Sequence, residues 1–78
     1  MRIKLADKVR VSRRGGVDVI GTIKSMNIGV VEGDTAGELG PKIDEYDTEL
    51  GYQGSVVYET DDGTTAWAYF TQIEEVIE

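Results

Sequence analysis

The stretch from Tyr52 to Ile77 constrains the fold more than any other part of this chain. It reads Tyr-Gln-Gly-Ser-Val-Val-Tyr-Glu, then Thr-Asp-Asp-Gly-Thr, then Thr-Ala-Trp-Ala-Tyr-Phe, and closes with Thr-Gln-Ile-Glu-Glu-Val-Ile. β-Branched and aromatic residues flank a glycine-containing turn, the pattern of two antiparallel strands joined tightly. The spacing of Phe70, Ile73 and Val76 predicts a single helical turn over Thr71 to Glu74, after which the chain returns as a last short strand.

The turn decides which side chains enter the core. If Asp62-Gly63 formed a two-residue turn, Tyr58 would face Trp67 and Val56 would face Tyr69, leaving Ser55, Val57 and Glu59 opposite the alanines. A three-residue loop, Asp61-Asp62-Gly63 with Gly63 left-handed, instead groups Val56 and Tyr58 with Ala66, Ala68 and Phe70. A one-residue slip exchanges the faces, and only the second register gives a continuous apolar layer. It also puts Trp67 and Tyr69 on the opposite face, beside Ser55, Val57 and Glu59.

Earlier in the chain Val9 and Val11 alternate with Lys8, Arg10 and Ser12. Arg13-Arg14-Gly15-Gly16 breaks the run, and residues 17–26 resume it with Val, Ile and Thr. This reads as a first hairpin whose inward set is Val19, Gly21 and Ile23, with Gly21 marking a bend or a close backbone approach. Strands are therefore expected near 7–12, 17–26 or beyond, 52–60, 64–70 and 75–77, around a core of Val9, Ile23, Val56, Tyr58, Phe70, Ile73 and Val76. The predicted class is all-β, a small SH3-like barrel of about five antiparallel strands with a helical turn before the last strand.

Seventy-eight residues fit one domain, and a chain of that size buries only about 60 to 65% of its unfolded surface. With neither cysteine nor histidine, disulfides, thiolate zinc sites and imidazole general bases are all excluded. Arg13-Arg14-Gly15-Gly16 has no following helix to make a phosphate site, and no nucleophile elbow is present. The reading is a non-enzyme without metal or cofactor. No apolar run is long enough to span a membrane, and Met1 to Asp7 turns charged too early for a signal peptide. A reducing, cytoplasmic setting is expected.

The net charge of −7 is unevenly spread: residues 1–31 carry seven basic side chains against two acids, and residues 32–78 one lysine against thirteen acids. In a small barrel the terminal strands lie together, so Lys4, Lys8 and Arg10 are expected beside Glu74, Glu75 and Glu78. The alternative use of the basic half is a nucleic-acid surface of the KOW or Tudor-like kind through Arg10, Arg13, Arg14 and Lys24. The overall charge opposes a polyanion, and four cations make a small footprint.

Residues 32–51 hold seven acids, four glycines and the only proline, forming an acidic loop or hairpin arm. Ile28, Val30 and Val31 before it, and Tyr46, Thr48 and Leu50 near its end, would extend the flanking strands and leave 33–43 as the tip. Asp44, Glu45, Asp47 and Glu49 lack calcium-loop spacing and read as solvated acids. Asp61 and Asp62 read as turn formers. The acids could also mimic phosphates toward a basic partner, which their spacing does not distinguish from plain solubility. The arm is the obvious cover for Trp67 and Tyr69; without such cover, Trp67, Tyr69, Val57 and Tyr46 would meet a protein partner.

Lys8-Val9-Arg10-Val11, Gly21-Thr22-Ile23, Val56-Val57-Tyr58-Glu59 and Phe70 followed by Ile73-Glu74-Glu75-Val76 resemble the framework of the photosystem I peripheral subunit PsaE and of the ferredoxin-thioredoxin reductase variable chain. The resemblance covers about half the chain and implies an SH3-like barrel. In that family the barrel helps dock acidic ferredoxin, which suits a basic face, whereas this chain is acidic and like charge slows such an encounter. The expected function is accordingly a non-catalytic protein-interaction module or accessory subunit of a larger complex. A protein partner is expected and a membrane is not, while homo-oligomerisation stays open.

Overall fold

The computed structural model describes residues 1–13, 15–29 and 40–77. Along them run β1 (Arg2–Lys4), β2 (Lys8–Val11), β3 (Val19–Ile28), β4 (Lys42–Ile43), β5 (Glu45–Asp47), β6 (Gly54–Thr60), β7 (Thr65–Tyr69) and β8 (Ile73–Ile77), with single 3-10 turns at Thr48–Leu50 and Phe70–Gln72. No helix among the described residues is long and apolar enough to cross a membrane. All pairings are antiparallel.

The larger sheet runs β7-β6-β3-β2-β8, with β4 beside the far half of β3, while β1 and β5 form a separate pair. The long β3 holds this together: its first half pairs with β2, and most of its length pairs with β6. A register shift between Ile23 and Ser25 bends it between the two duties. The ladder is open. β7 and β8 stand at its two ends, and no pairing joins them among the described residues.

The hairpin takes the three-residue loop. Val56 pairs with Ala68 and Tyr58 with Ala66. Thr60 N–H donates to Thr64 O (2.9 Å) and Gly63 N–H to Thr60 O (2.9 Å), with Gly63 at φ 84°. The expected inward set therefore lies together. Val9, Ile23, Val56, Tyr58, Phe70 and Ile73 are buried and Val76 is partly buried. Ile3, Val11, Met26, Tyr46 and Ala68 complete the core. Gly21 is a close approach: a Cβ there would lie 2.5 Å from Tyr58 Cδ2.

Two expectations for residues 32–51 are corrected. Glu45–Asp47 does not extend β6 into an arm, as expected of the third strand; it crosses to the amino terminus, where Ile3 pairs with Tyr46. Thr48 and Leu50 then lie in a 3-10 turn, capped by Asp47 through Glu49 N–H (3.0 Å) and ended by Gly51 at φ 75°. Val30, Val31 and the tip through residue 39 lie outside the described residues.

Near the carboxy end, the helical turn comes one residue earlier than the sequence suggests, and β8 begins at Ile73. Gln72 sets this boundary. Its Oε1 accepts from Tyr69 N–H (2.9 Å), its Nε2 donates to Ser12 O (2.9 Å), and its carbonyl accepts from Ser12 N–H (2.8 Å).

Replacing Phe70, which stacks on Tyr46 at 4.2 Å between ring centroids, with alanine should cost about 3 to 5 kcal/mol in chemical denaturation. Gly21→Ala should also destabilise, by about 1 to 3 kcal/mol, because the Tyr58 ring has to move. A Phe70→Ala protein with an unchanged denaturation midpoint would contradict this packing.

Candidate functional site

The outer face of the β6–β7 hairpin follows directly from the register. Val57 lies opposite Trp67, Ser55 opposite Tyr69 and Glu59 opposite Thr65. Trp67 and Tyr69 alternate with Ala66 and Ala68, so filling the core with the small residues turns the large ones outward. Their rings meet edge to face, with centroids 5.0 Å apart and planes at 86°, an arrangement that the aromatic quadrupole favours. Trp67 keeps 37% of its surface accessible. Val57 and Tyr69 are half-buried.

This face does not run uniformly open. Toward the other end of β6, Ser55 is only 1% exposed, and its hydroxyl donates to Asn27 Oδ1 (3.0 Å). The accessible part is the β7 side, where Trp67 and Tyr69 border a shallow groove with Ser12, Thr71 and Gln72. Tyr69 and Thr71 also border a neighbouring groove with Tyr52, Gln53 and Phe70. Tyr52 is 61% exposed, so the aromatic surface continues past Tyr69.

Tyr46 does not belong with this surface. It is 6% exposed and stacked on Phe70, and its hydroxyl accepts from Tyr52 N–H (2.7 Å). The sequence reading that grouped Tyr46 with Trp67, Tyr69 and Val57 is corrected: it is a core residue that anchors the loop presenting Tyr52. β4 and β5 pair with β3 and β1, and Trp67 keeps its accessible surface.

Of the basic residues weighed as a nucleic-acid surface, Arg10 is engaged by three carboxylates, Asp18 (3.5 Å), Glu74 (3.5 Å) and Glu75 (2.7 Å). Its Nε has no aligned hydrogen-bond partner despite the nearby Asp18 oxygen. Each half-exposed pair of this kind contributes about 0.2 to 1 kcal/mol, but together they cancel the charge. The expected neutralisation of Arg10 by Glu74 and Glu75 is thus present. Lys8 instead lies opposite Ile77 and Lys4 opposite Glu45. Arg13 and Lys24 are exposed; Arg14 and Glu78 lie outside the described residues.

Three of the four acids weighed as calcium ligands have other partners. Glu45 meets Arg2 (3.5 Å), and Asp47 and Glu49 meet the Met1 ammonium (3.6 and 3.9 Å). The Asp47 carboxyl is held below the usual range first by the Glu49 N–H and then by the amino terminus. Among the described residues no cluster of three or more acidic side chains could hold a metal ion.

Ser12, Gln72, Tyr52 and Asn27 were not singled out by the sequence. Their parts depend on hydrogen bonds and loop positions that composition and alternation do not encode. No protein-family profile, curated protein or solved structure matches the chain.

The turn that positions this face has its own titration signature. Asp62 accepts from the Thr60 hydroxyl and from Thr64 N–H (3.0 Å), which lowers its carboxyl from 3.8 to about 2. Because the folded value is depressed, this contribution to stability is complete above 3.8 and is lost as pH falls through about 2. A carboxyl-carbon NMR titration should place Asp62 near 2, and Thr60→Val should move it back toward 3.8. A midpoint already at the ordinary value in the parent would remove the proposed bonds.

Proposed function

We propose that the chain is a non-catalytic protein-interaction module, or an accessory subunit of a larger assembly, that engages a protein partner through Trp67, Tyr69 and Val57. The observation that carries this reading is the edge-to-face Trp67–Tyr69 pair left accessible on a strand whose other face is spent on the core. Rigid aromatic anchors with polar surroundings are the usual centre of a small interface, since they bring large contact area at little cost in side-chain entropy. Ser12, Thr71 and Gln72 supply the polar border.

We read the fold as an SH3-like framework. The supports are the strand order β8-β2-β3-β6-β7 and the 3-10 turn directly before β8, together with the sequence resemblance to PsaE and the reductase variable chain. That resemblance is taken for the fold and not for ferredoxin docking, given the acidic balance. A reducing, cytoplasmic setting suits a chain without cysteine.

The nucleic-acid reading is weakened by the placement of Arg10. With Asp18, Glu74 and Glu75 around that guanidinium, Arg13 and Lys24 remain as the described cations of the footprint. Too few phosphate contacts follow to offset the net charge of −7. Duplex or single-stranded DNA and RNA should bind no tighter than about tens of micromolar near physiological salt.

The test is capture from lysate with the parent and with a folded Trp67→Ser/Tyr69→Ser protein, followed by affinity measurement on the purified partner. Loss of at least about a hundredfold in the double variant is expected of paired hot-spot aromatics. Submicromolar, salt-steep RNA or DNA binding abolished by Arg13→Ala would reverse the assignment.

A further inference from the structure

We infer that β7 is a strand-addition site that accepts an extended, basic-flanked segment of the partner protein, an inference that rests on the interaction surface just proposed. The backbone is the starting point. Thr60 and Thr64 close the hairpin as a hydrogen-bonded pair, so bonded pairs recur at Tyr58–Ala66 and Val56–Ala68. Thr65 and Trp67 then turn their N–H and C=O groups away from β6. Tyr69 N–H points the same way and is taken by the Gln72 side chain (2.9 Å). Among the described residues β7 has β6 as its one neighbour, so the groups of Thr65 and Trp67 are offered at an open edge.

That edge is undefended. From Thr64 to Gln72 the chain carries no charge and no proline, whereas β8, at the other end of the ladder, carries Glu74 and Glu75. Charges, prolines and bulges are how proteins usually blunt an exposed edge. There is room beside it as well. One groove along β7 is bordered by Ser12, Trp67, Tyr69 and Gln72, and a second, at the turn that leads into β7, by Arg13, Ile20, Asp61, Asp62 and Thr64. Gln72, bonded to Ser12, ends the site on one side.

Charge selects the occupant. Glu59, Asp61 and Asp62 gather at the start of β7, with Arg13 bordering the same groove, and the chain as a whole carries −7. A second copy would bring −7 against −7. An extended segment with β-branched residues in its middle and lysine or arginine at its ends meets both the edge and the field. Main-chain hydrogen bonds would supply affinity, and Trp67 and Tyr69 would read alternate side chains.

The probe is the peptide acetyl-Lys-Thr-Val-Thr-Val-Thr-Lys-amide, titrated into the full chain and followed by amide NMR shifts. Saturable shifts centred on Thr65 to Trp67 are expected. Alternate N-methylation should weaken binding about tenfold or more in one phase and not in the other, because only one set of peptide amides faces β7. Glutamate in place of both lysines should also weaken it. Thr65→Pro removes an outward N–H without touching the bonds to β6, and should cost about tenfold while leaving Trp67 in place.

Equal binding by both N-methylated phases and by Thr65→Pro, with loss on Trp67→Ser, would overturn strand addition and leave the aromatic surface standing. A concentration-dependent dimer, dissociated by Thr65→Pro and indifferent to the peptide, would make a second copy the occupant and overturn the basic partner. No shifts at millimolar peptide with a monomeric protein would overturn the site altogether.

Discussion

One left-handed residue fixes most of this molecule. Gly63, at φ 84°, lets the β6–β7 turn close with three residues, and a side chain there would cost about 1 to 2 kcal/mol. That loop length sets Val56 against Ala68 and Tyr58 against Ala66. Once those pairs are set, the alanines must share the core with the tyrosine and phenylalanine rings, and Trp67 and Tyr69 must face out. A register slipped by one residue would bury Trp67 and expose Phe70, and neither the interior nor the accessible surface would survive.

Phe70 carries the consequence across the molecule. Its ring stacks on Tyr46, which belongs to the separate β1–β5 pair, and it leaves no space for a Cβ at Gly54. The Tyr46–Phe70 stack joins the two sheets, and the Gly54 contact seats the same ring against β6. The charged residues follow a different logic. Arg10 draws together Asp18 on the β2–β3 connection and Glu74 and Glu75 on β8, so the most enclosed of the described cations in the basic half is spent on internal neutralisation. On the β7 side, what is offered for outside contact is a neutral strand beside a turn with two aspartates.

The hairpin and its register were legible because alternation and turn chemistry there agree and only one loop length gives a continuous apolar layer. Gly21 was legible in part: a glycine within a strand pattern left a bend and a close backbone approach open, and the approach is made by the Tyr58 ring. The β1–β5 pair was not. Each strand is three residues long, too short for a period, and each finds its partner far away in the sequence. Tyr46 was misplaced with it, since one aromatic among acids reads equally as an anchor or as core until its partner Phe70 is known. Gln72 and Ser12 act through specific hydrogen bonds, which hydropathy does not record. Residues 30–39 and Arg14 lie outside the described residues, and the expectations placed on them stand as expectations, whereas Lys42–Ile43, expected in the tip, pairs with β3.

The outward aromatic face and the open edge beside it stem from the same alternation of backbone groups along β7. Residue-resolved amide hydrogen exchange on the isolated protein reads that alternation directly. The account predicts slow exchange at Ala66 and Ala68, whose N–H groups bond β6, and fast exchange at Thr65 and Trp67, whose N–H groups meet solvent. Protection of Trp67 equal to that of Ala66 would mean a slipped register or an edge already paired, and would contradict the assignment of this face as the partner surface.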